Sequence, residues 1–405
     1  MNILFLTLLD FHSIYEHNIY TDLLREFTKH GHFVYAISPV EEKNCKESKI
    51  IEEEKIKILK LKIGNIKKVN IIKKGISTIT LESIFIKGIK KYFYNIQFDL
   101  ILYSTPPITF QRAVNYVKKR DEASTYLLLK DIFPQNAIDI GMLNKSGFNK
   151  FIYLYFRKKE KKLYKVSEHI GCMSEANKNY IIKHNPEISP DTVEICPNSI
   201  EVMDMRIHQD EKNKIRKKYN IPLEQKVLIY GGNLGKPQGI PFLIQCLKSQ
   251  LNNPNAFFLI IGDGTEFKNI KLFFEKFKPS NMKLCQKLPQ KDYDKLVSAC
   301  DVGMVFLDYR FTIPNFPSRI LSYMQAGLPI LAVTDRNTDL GKIIVDNDLG
   351  WWCESNNAKR FYKLVNDICS SETIKKGNKN YSYLTENYNV NNTYEIIINN
   401  FIAKI

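Results

Sequence analysis

The chain of 405 residues is too long for one ordinary hydrophobic core and fits two domains of about 200 residues each. Apolar residues make up 44% of it and charged residues 25%, proportions that exclude a disordered or fibrous protein. The net charge of +16 is compatible with an anionic ligand, a membrane surface or nucleic acid, so the position of the charge along the chain decides among them.

Short apolar runs alternate with amphipathic stretches, a pattern typical of parallel βαβ units. The runs predict strands at residues 3–7, 33–38, 100–104, 125–129, 170–173, 193–196, 227–231, 257–261, 282–284, 302–307 and 330–333. Apolar spacing predicts helices at residues 19–29, 76–94, 109–120, 175–183, 240–251, 266–277, 293–299 and 318–326. The expected fold class is α/β, with ligand sites at the carboxyl ends of the strands.

The strand series restarts after a polar stretch at residues 201–224, which predicts the domain boundary. We assign residues 1–200 to an N-terminal Rossmann-like domain and residues 201–385 to a C-terminal one. Residues 386–405 are predicted to contain a last amphipathic helix that returns to the N-terminal domain.

The cysteines show no spacing typical of a disulfide framework or a metal site, which favours a reducing cytoplasm. They are Cys45, Cys172, Cys196, Cys246, Cys285, Cys300, Cys353 and Cys369. The N-terminal apolar run is more typical of a buried strand than of a signal peptide. No apolar run approaches the roughly 18 residues that span a bilayer.

Positive charge is concentrated in two basic-aromatic segments. Residues 55–91 contain eleven lysines and one acid, and residues 148–165 contain seven basic residues and one acid. Aromatic side chains lie in or beside both segments: Phe85, Tyr92, Phe93, Tyr94, Phe148, Phe151, Tyr153, Tyr155, Phe156 and Tyr164. This combination suits an anionic lipid surface, so we expect peripheral attachment to the inner face of the plasma membrane. Solvated lysine faces in a lysine-rich chain are the alternative.

Two predicted strand ends in the C-terminal half carry glycine turns. The strand at 227–231 continues into the turn 231–239, GGNLGKPQG, and the strand at 257–261 continues into the turn 262–264, GDG. Glycines let backbone N–H groups approach an anion, and a following helix N-terminus adds favourable partial charge. An ordinary βα turn with a surface lysine is the alternative.

A third strand end, after residues 302–307, leads to the sequence NFPSR at 315–319, where a helix is predicted to begin. Ser318 is placed to cap this helix, and Arg319 adds a charge suited to phosphate. A capped helix with a solvated Arg319 is the alternative. Three anion-competent turns at the strand ends of one domain favour a phosphate site.

The motifs resemble those of a known family. The stretch ACDVGMVFLDYRFTIPNFPSRILSYMQAGLPILAV resembles the donor-domain signature of GT-B glycosyltransferases of family 4, especially a bacterial capsule and O-antigen branch similar to L-fucosamine transferases. Five more segments fit this branch in the expected order: MNILFLT, LLLKDIFPQNAIDIGML, CPNSI, GGNLGKPQG and IGDGTEF. The resemblance covers essentially the whole chain, and it implies two Rossmann-like domains whose parallel sheets face an interdomain cleft.

The resemblance also implies a reaction. A sugar, an N-acetylated or deoxy hexose, would move with retention of configuration from a UDP-sugar to a lipid-diphosphate-linked saccharide in capsule or O-antigen biosynthesis. The implied donor-binding residues are Gly232, Asn233, Lys236, Gln238, Gly262, Gly264, Leu288, Asn315, Phe316, Pro317, Ser318, Arg319 and Ser322.

The sequence departs from the family pattern at four positions. Two glutamates spaced eight apart in the family correspond to Pro314 and Ser322, which puts the ribose and sugar contacts in doubt. The usual Arg and Lys of the first glycine loop correspond to Asn233 and Gln238. Lys236 and Arg319 are then the nearest sources of positive charge for the donor phosphates.

Two N-terminal residues are candidates for catalysis. Asp131 follows the strand at 125–129 and is the candidate to position or deprotonate the acceptor hydroxyl. A turn-capping aspartate before Pro134 is the alternative. His17, in the loop at 9–18, is a candidate contact for donor or acceptor, and a surface histidine is the alternative. Backbone N–H groups and cations can stabilise a departing diphosphate, so no metal or other cofactor is required.

Three other functions stay open. A GT-B sugar-nucleotide 2-epimerase would consume a UDP-N-acetylhexosamine without an acceptor. A nucleic-acid-binding protein could use the basic segments, although no helix-turn-helix, zinc or RNA-binding signature is present, so no nucleic acid is expected as a partner. A catalytically silent homologue would agree with the missing glutamates.

Overall fold

A computed structural model describes residues 1–44, 47–65 and 71–401, apart from the side chains of residues 71–79 and 148. The chain forms two compact units. Unit 1 comprises Met1–Glu201 and Val390–Ile405, and unit 2 comprises Val202–Asn389. The division expected from the sequence lay after residues 200 and 385.

Unit 1 contains an eight-stranded sheet within the described residues. Its strands are β1 (Asn2–Leu6), β2 (Phe33–Glu41), β3 (Lys49–Glu53), β4 (Ile56–Ile63), β5 (Leu100–Ser104), β6 (Ser124–Leu129), β7 (His169–Cys172) and β8 (Val193–Ile195). They lie in the order β3-β4-β2-β1-β5-β6-β7-β8, and all neighbours are parallel except β3 and β4.

Unit 2, described throughout, contains a six-stranded parallel sheet. Its strands are β9 (Lys226–Asn233), β10 (Ala256–Asp263), β11 (Met282–Gln286), β12 (Val302–Phe306), β13 (Ile330–Thr334) and β14 (Gly350–Glu354). They lie in the order β11-β10-β9-β12-β13-β14, so the connections after β9, β10 and β12 leave from one edge of the sheet.

Helices connect the strands of both sheets. They are α1 (Thr21–Lys29), α2 (Ile71–Tyr92), α3 (Gln111–Asp121), α4 (Gln135–Asp139), α5 (Gly147–Val166), α6 (Glu175–His184), α7 (Gln209–Lys218), α8 (Ile240–Ser249), α9 (Phe267–Phe277), α10 (Gln290–Ser298), α11 (Arg319–Gln325), α12 (Leu340–Asp346), α13 (Ala358–Cys369), α14 (Ile374–Asn387) and α15 (Val390–Asn399). Among the described residues, none of these helices is long and apolar enough to cross a bilayer.

The last helix completes the core of unit 1. Tyr394 and Ile397 of α15, with Phe401 after it, are buried in the same cluster as the apolar residues of β1, β2 and α1. The Phe27 and Tyr394 rings pack edge to face with their centroids 5.1 Å apart. The Tyr394 hydroxyl lies 3.1 Å from Nε2 of His32. The C-terminal segment is therefore part of the first unit's core.

The first basic segment differs from the expected lysine surface, because its first part forms β4. Lys60 is 1% exposed, and its Nζ donates to Asp10 Oδ1 at 2.5 Å and to Ser38 Oγ at 2.9 Å. The expectation of a basic surface is thus wrong for Lys60, since the strand turns this side chain into the protein. Outside the described residues lie Lys67, Lys68 and the side chains of Lys73, Lys74 and Phe148.

The seven cysteines in the described part of the chain are unpaired, and Cys45 lies outside it. Cys172, Cys196, Cys246, Cys300 and Cys353 are buried, and burial raises the pKa of each of these thiols. They serve as core residues in unreactive, protonated form.

Candidate functional site

The carboxyl end of β9 begins with a glycine pair. The apolar residues of β9 are buried, which anchors the strand, and Gly231 N–H donates to the Tyr323 hydroxyl at 3.0 Å. Gly232 has a φ of +120°, a conformation that residues with a side chain rarely adopt. The turn therefore places exposed, side-chain-free backbone at the strand end.

Arg319 lies against this glycine turn. Its Cζ is 3.6 Å from the position that a Cβ on Gly232 would take, so a side chain at residue 232 would contact the guanidinium. The guanidinium also stands over the Tyr230 ring, 4.7 Å from the ring centroid. Its Nη1 atom is buried and has no hydrogen-bond partner among the described residues. Two predicted donor-site residues, Gly232 and Arg319, are thus brought together.

The surroundings of Arg319 are aromatic and neutral. Tyr230, Tyr293 and Tyr323 all act electrostatically on the guanidinium. Burial raises the pKa of all three phenols, to about 12 for Tyr323, so they stay neutral near pH 7. No carboxylate of the described residues forms an ion pair with Arg319. A positive charge without a counter-ion, with one N–H direction free, is suited to bind an anion.

The glycines of the second turn have a packing role. A Cβ on Gly262 would overlap the carbonyl oxygen of Gly232, and one on Gly264 would overlap the backbone of Leu234. Backbone hydrogen bonds join the same turns, with Leu234 N–H donating to the carbonyl oxygen of Asp263 at 2.9 Å. The Gly264 N–H donates to Oδ1 of Asp263 at 2.8 Å. The Gly264 N–H is therefore already engaged within the turn, and a role of Gly262 and Gly264 in donor binding stays a prediction.

The residues that replace the family's Arg and Lys bind each other. Asn233 Nδ2 donates to Gln238 Oε1 at 3.0 Å, and the Gly235 N–H donates to the same oxygen at 3.2 Å. Lys236 begins a short 3₁₀ turn and is exposed. The asparagine and glutamine thus stabilise the turn as a neutral pair, and Lys236 is its exposed cation.

The segment before α11 lies partly in the core. Phe316 is buried, with its ring centroid 6.1 Å from that of Tyr388. The carbonyl oxygen of Asn315 accepts from Thr338 Oγ1 at 2.6 Å, while its Nδ2 atom is buried and, within the described chain, has no partner. Asn315 therefore offers a second unused N–H donor in unit 2.

The structure places Ser318 at the predicted N-cap position of α11, without a capping hydrogen bond from its side chain. Its backbone is already helical at this position. Pro317 and Ser322 are half-buried next to and within α11, and Leu288 is half-buried between β11 and α10. A role in donor binding stays a prediction for each of these residues.

In unit 1, Asp131 follows β6 as expected. Burial raises the pKa of its carboxyl to about 6, although hydrogen bonds from Asn136 and from the backbone N–H of Ile132 act in the opposite direction. Asn136 Nδ2 donates to Asp131 Oδ1 at 2.7 Å. The backbone is fixed by Thr105, whose Oγ1 accepts from the N–H of Asp131 at 3.2 Å. A carboxylate with this pKa can take a proton near neutral pH.

His17 takes part in a separate set of contacts. It is exposed, and its Nδ1 lies 3.2 Å from Arg25 Nη2 and 3.6 Å from Asp22 Oδ1. Arg25 also binds Glu201, with Nη2 2.9 Å from Oε2. These contacts attach the loop at 9–18 to α1, and no hydrogen bond of the described residues joins His17 to Asp131. Its role with donor or acceptor stays a prediction.

Sequence reasoning missed the groups that hold the two candidate side chains. Tyr230 and Tyr323 were assigned only to a strand and a helix, and Asn136 was not distinguished from its neighbours. A tyrosine directly before the glycine pair at 231–232 was the available signal, because a planar side chain there can stack on a cation. Asn136 lies inside the segment LLLKDIFPQNAIDIGML, which the resemblance had already marked.

Comparison with known proteins finds glycosyltransferases among the relatives of this chain. Residues 211–388 match the model of the family described as Glycosyl transferases group 1. The chain is 24% identical over 292 residues to a protein of Pseudomonas aeruginosa named as the probable glycosyltransferase WbjE, with 72% of this chain and 71% of the relative covered. It is 21% identical over 249 residues to WcaI of Escherichia coli K12, a protein named for glycosyl transfer in colanic acid biosynthesis, with 60% of each chain covered.

Solved structures extend the match to the whole fold. Sucrose-phosphate synthase of Thermosynechococcus elongatus superimposes with a TM-score of 0.77 at 12% identity, over 99% of this chain and 98% of that one. HepE of Anabaena, solved with UDP and glucose, gives a TM-score of 0.67 at 13% identity over 100% of both chains. These likenesses confirm the predicted GT-B fold. Residues 211–388 form a glycosyl transferases group 1 domain, and the chain is a glycosyltransferase with the two-domain GT-B fold.

Proposed function

We propose that the enzyme transfers a sugar, with retention of configuration, from a UDP-sugar to a saccharide acceptor of a surface polysaccharide. The sugar is an N-acetylated or deoxy hexose, and the acceptor is linked to a lipid diphosphate. The proposal places the donor in unit 2 and the acceptor hydroxyl at the strand ends of unit 1. We also propose that the chain belongs to the branch similar to L-fucosamine transferases, and this resemblance is the reason for proposing an N-acetylated or deoxy hexose as the transferred sugar.

The observation that carries the donor assignment is the open guanidinium of Arg319. It is held over Tyr230 beside Gly232, its Nη1 is buried without a partner among the described residues, and the nearby phenols are neutral. A diphosphate supplies both the negative charge and the acceptor oxygens that this group lacks. The fold match to HepE, solved with UDP and glucose, supports uridine as the nucleoside.

The chemistry follows from these two sites. The bond between the sugar's anomeric carbon and the diphosphate breaks, and Arg319 stabilises the charge that develops on the leaving oxygen. The acceptor hydroxyl forms a bond to the anomeric carbon on the same face and gives its proton to Asp131. The reaction as written needs no metal, so EDTA is expected to leave the rate unchanged.

The polysaccharide assignment rests on relatives. WcaI carries a name that assigns it to colanic acid biosynthesis, and the match covers 60% of each chain. This similarity supports a role in the synthesis of a bacterial surface polymer. We propose a capsule or O-antigen as the product. We propose that this polymer is assembled on a lipid carrier and that the enzyme acts at the cytoplasmic face of the plasma membrane.

The surface proposed to meet that membrane is on α5. Phe151, Leu154 and Tyr155 are 70%, 49% and 40% exposed, and lysines lie on the same helix. The exposed lysines are Lys150, Lys158, Lys161, Lys162 and Lys165. Apolar and basic side chains on one helix can bind anionic lipid. We expect co-sedimentation with phosphatidylglycerol vesicles but not with phosphatidylcholine vesicles, and loss of binding in Phe151→Ser.

The donor assignment is tested by thermal-shift measurements with UDP, GDP, ADP and a set of UDP-sugars. UDP and at least one UDP-sugar should raise the melting temperature, and GDP and ADP should not. No shift with any uridine nucleotide would contradict the proposal. Turnover of a UDP-N-acetylhexosamine alone to its 2-epimer would favour the epimerase alternative.

A further inference from the structure

Asn136 is the side-chain donor to the Asp131 carboxylate. It lies on the short helix α4, five residues after Asp131, and its Nδ2 is 2.7 Å from Asp131 Oδ1. A carboxylate oxygen can only accept, so this contact orients the amide and turns the Asn136 oxygen away. The carboxylate thus has a side-chain hydrogen bond from a neutral neighbour in addition to the one from the backbone N–H of Ile132.

The other half of the Asn136 amide has no hydrogen-bond partner in the part of the chain that the structure describes. Its Oδ1 atom is buried and makes no hydrogen bond to any described residue. Two more buried atoms of unit 1, Thr109 Oγ1 and Asn198 Oδ1, are unsatisfied in the described structure. They lie on the connections after β5 and β8, while Asn136 follows β6, so all three belong to the carboxyl edge of one sheet. Each of these three oxygen atoms can accept a hydrogen bond, and Asn136 Oδ1 belongs to the amide that holds the Asp131 carboxylate.

Few charged groups act on Asp131 from the neighbouring elements. Tyr20, before α1, and Glu160, on α5, both interact with it electrostatically. The Tyr20 phenol is neutral because burial raises its pKa to about 12. The Glu160 carboxylate is bound by Arg157. The adjacent Lys130 donates its Nζ to the carbonyl oxygen of Cys196 at 3.2 Å. Burial therefore acts most strongly on the carboxylate, and Asn136 and the backbone N–H of Ile132 oppose it through hydrogen bonds.

We propose that Asn136 is a positioning residue for sugar transfer, with Nδ2 holding the Asp131 carboxylate and Oδ1 receiving a hydroxyl group of the saccharide acceptor. The inference rests on the proposed function, because it assigns the acceptor contact of that reaction. One amide then sets both the direction of the base and the position of the hydroxyl.

The pH dependence of transfer tests this role. Asp131 accepts a proton only when ionised, so acceptor kcat/KM should fall as the pH drops through about 6 in the wild type. Asn136→Ala removes a hydrogen bond that favours the charged form, so the acid limb should move up by about one pH unit. Asn136→Asp should move it further, because two adjacent carboxylates retain a shared proton. In Asn136→Ala the acceptor KM should also rise about 2- to 10-fold.

Asn179→Ala is the matched control. Asn179 also donates to a carboxylate, Glu175 Oε1 at 3.1 Å, but it is exposed on α6. The control should keep the wild-type acid limb and acceptor KM. UDP affinity should equal that of the wild type in every variant, and melting temperatures identify any variant that is misfolded.

The outcomes separate the two ideas. If the wild type transfers sugar and both folded Asn136 variants keep its acid limb, the inference is overturned and the proposed function stands. A general loss of kcat at all pH values, without a shifted limb, overturns it as well and assigns Asn136 a structural role. A wild type that binds UDP-sugars but transfers to no saccharide overturns the proposed function together with this inference.

Discussion

Two arginines of unit 2 lie at opposite ends of the same strands, and their surroundings differ. Arg216, on α7, is 2% exposed and donates Nη2 to Asp301 Oδ2 at 2.6 Å and Nε to the carbonyl oxygen of Ala299 at 2.9 Å. Asp301 precedes β12, and its Oδ2 also accepts from the N–H of Val227 in β9 at 2.7 Å. Arg319, beyond the carboxyl end of β9, has an aromatic stack and a buried Nη1 without a partner in the described chain.

The difference supports the proposal that Arg216 has a structural role and that Arg319 binds a ligand. At the amino ends of the strands, Lys212 and Arg216 outweigh the effect of burial and keep the pKa of Asp301 below its ordinary value. That cluster satisfies its own charges and fixes the fold. At the carboxyl ends Arg319 has no ion-pair partner among the described residues, and an uncompensated buried charge of this kind is suited to bind an anionic ligand.

The largest effect is expected for Arg216→Ala. Breaking a buried ion pair leaves Asp301 partly uncompensated, so the free energy of unfolding should fall by about 3 kcal/mol at pH 7. Urea denaturation measures this change. The gap from the wild type should narrow as the pH drops through the lowered pKa of Asp301, because the carboxylate then loses its charge in both proteins. UDP affinity of the folded variant should be unaltered; a large loss would remove the distinction between the two arginines.

Arg319→Ala should show the converse behaviour. Loss of a charged hydrogen bond to phosphate should weaken UDP binding about 10- to 100-fold, with little loss of unfolding free energy. Isothermal titration calorimetry measures the affinity. Arg336→Ala is the control, because Arg336 is 76% exposed and paired with Glu354. Unchanged UDP affinity in Arg319→Ala would refute the phosphate assignment.

Lys236→Ala should have the smallest effect. Lys236 is exposed on the turn after β9, so its charge is screened by solvent and salt. UDP affinity should fall about 2- to 5-fold at low ionic strength, and the difference should disappear in high salt. A loss as large as that of Arg319→Ala, persisting in salt, would show that the exposed lysine is the main phosphate ligand.

The sequence predicted the parts of the fold that depend on local pattern. The strands at 100–104 and 302–307 were found because both faces of a central parallel strand are buried, which produces uninterrupted apolar runs. Arg319 was selected because a glycine turn and a helix start are visible in the sequence, and its role in donor binding stays a prediction. The fucosamine branch, the sugar and the acceptor stay predictions, since they depend on side-chain contacts that no local pattern records.

Other features could not be predicted, because they depend on tertiary neighbours. The alternating lysines of β4 are typical of a strand with one solvent-exposed face. Lys60 is nevertheless buried, and its Nζ binds Asp10 and Ser38, which come from distant parts of the chain. The stack of Arg319 on Tyr230 joins residues 89 positions apart. The hydrogen bond from the Asn136 amide to the Asp131 carboxylate likewise could not be predicted, because it depends on the folded positions of both side chains.

The place of α15 in the core of unit 1 has a consequence for the order of events on the ribosome. Unit 2 is one continuous stretch, Val202–Asn389, and its chain is complete before α15 has been made. Unit 1 cannot bury Tyr394, Ile397 and Phe401 until residues 390–401 have been synthesised. During translation, the ribosome therefore completes the sequence of unit 2 before that of unit 1, although most of unit 1 precedes unit 2 in the chain. A chain that ends shortly after Asn389 would contain all of unit 2, but its unit 1 would lack α15 and would have an incomplete hydrophobic core.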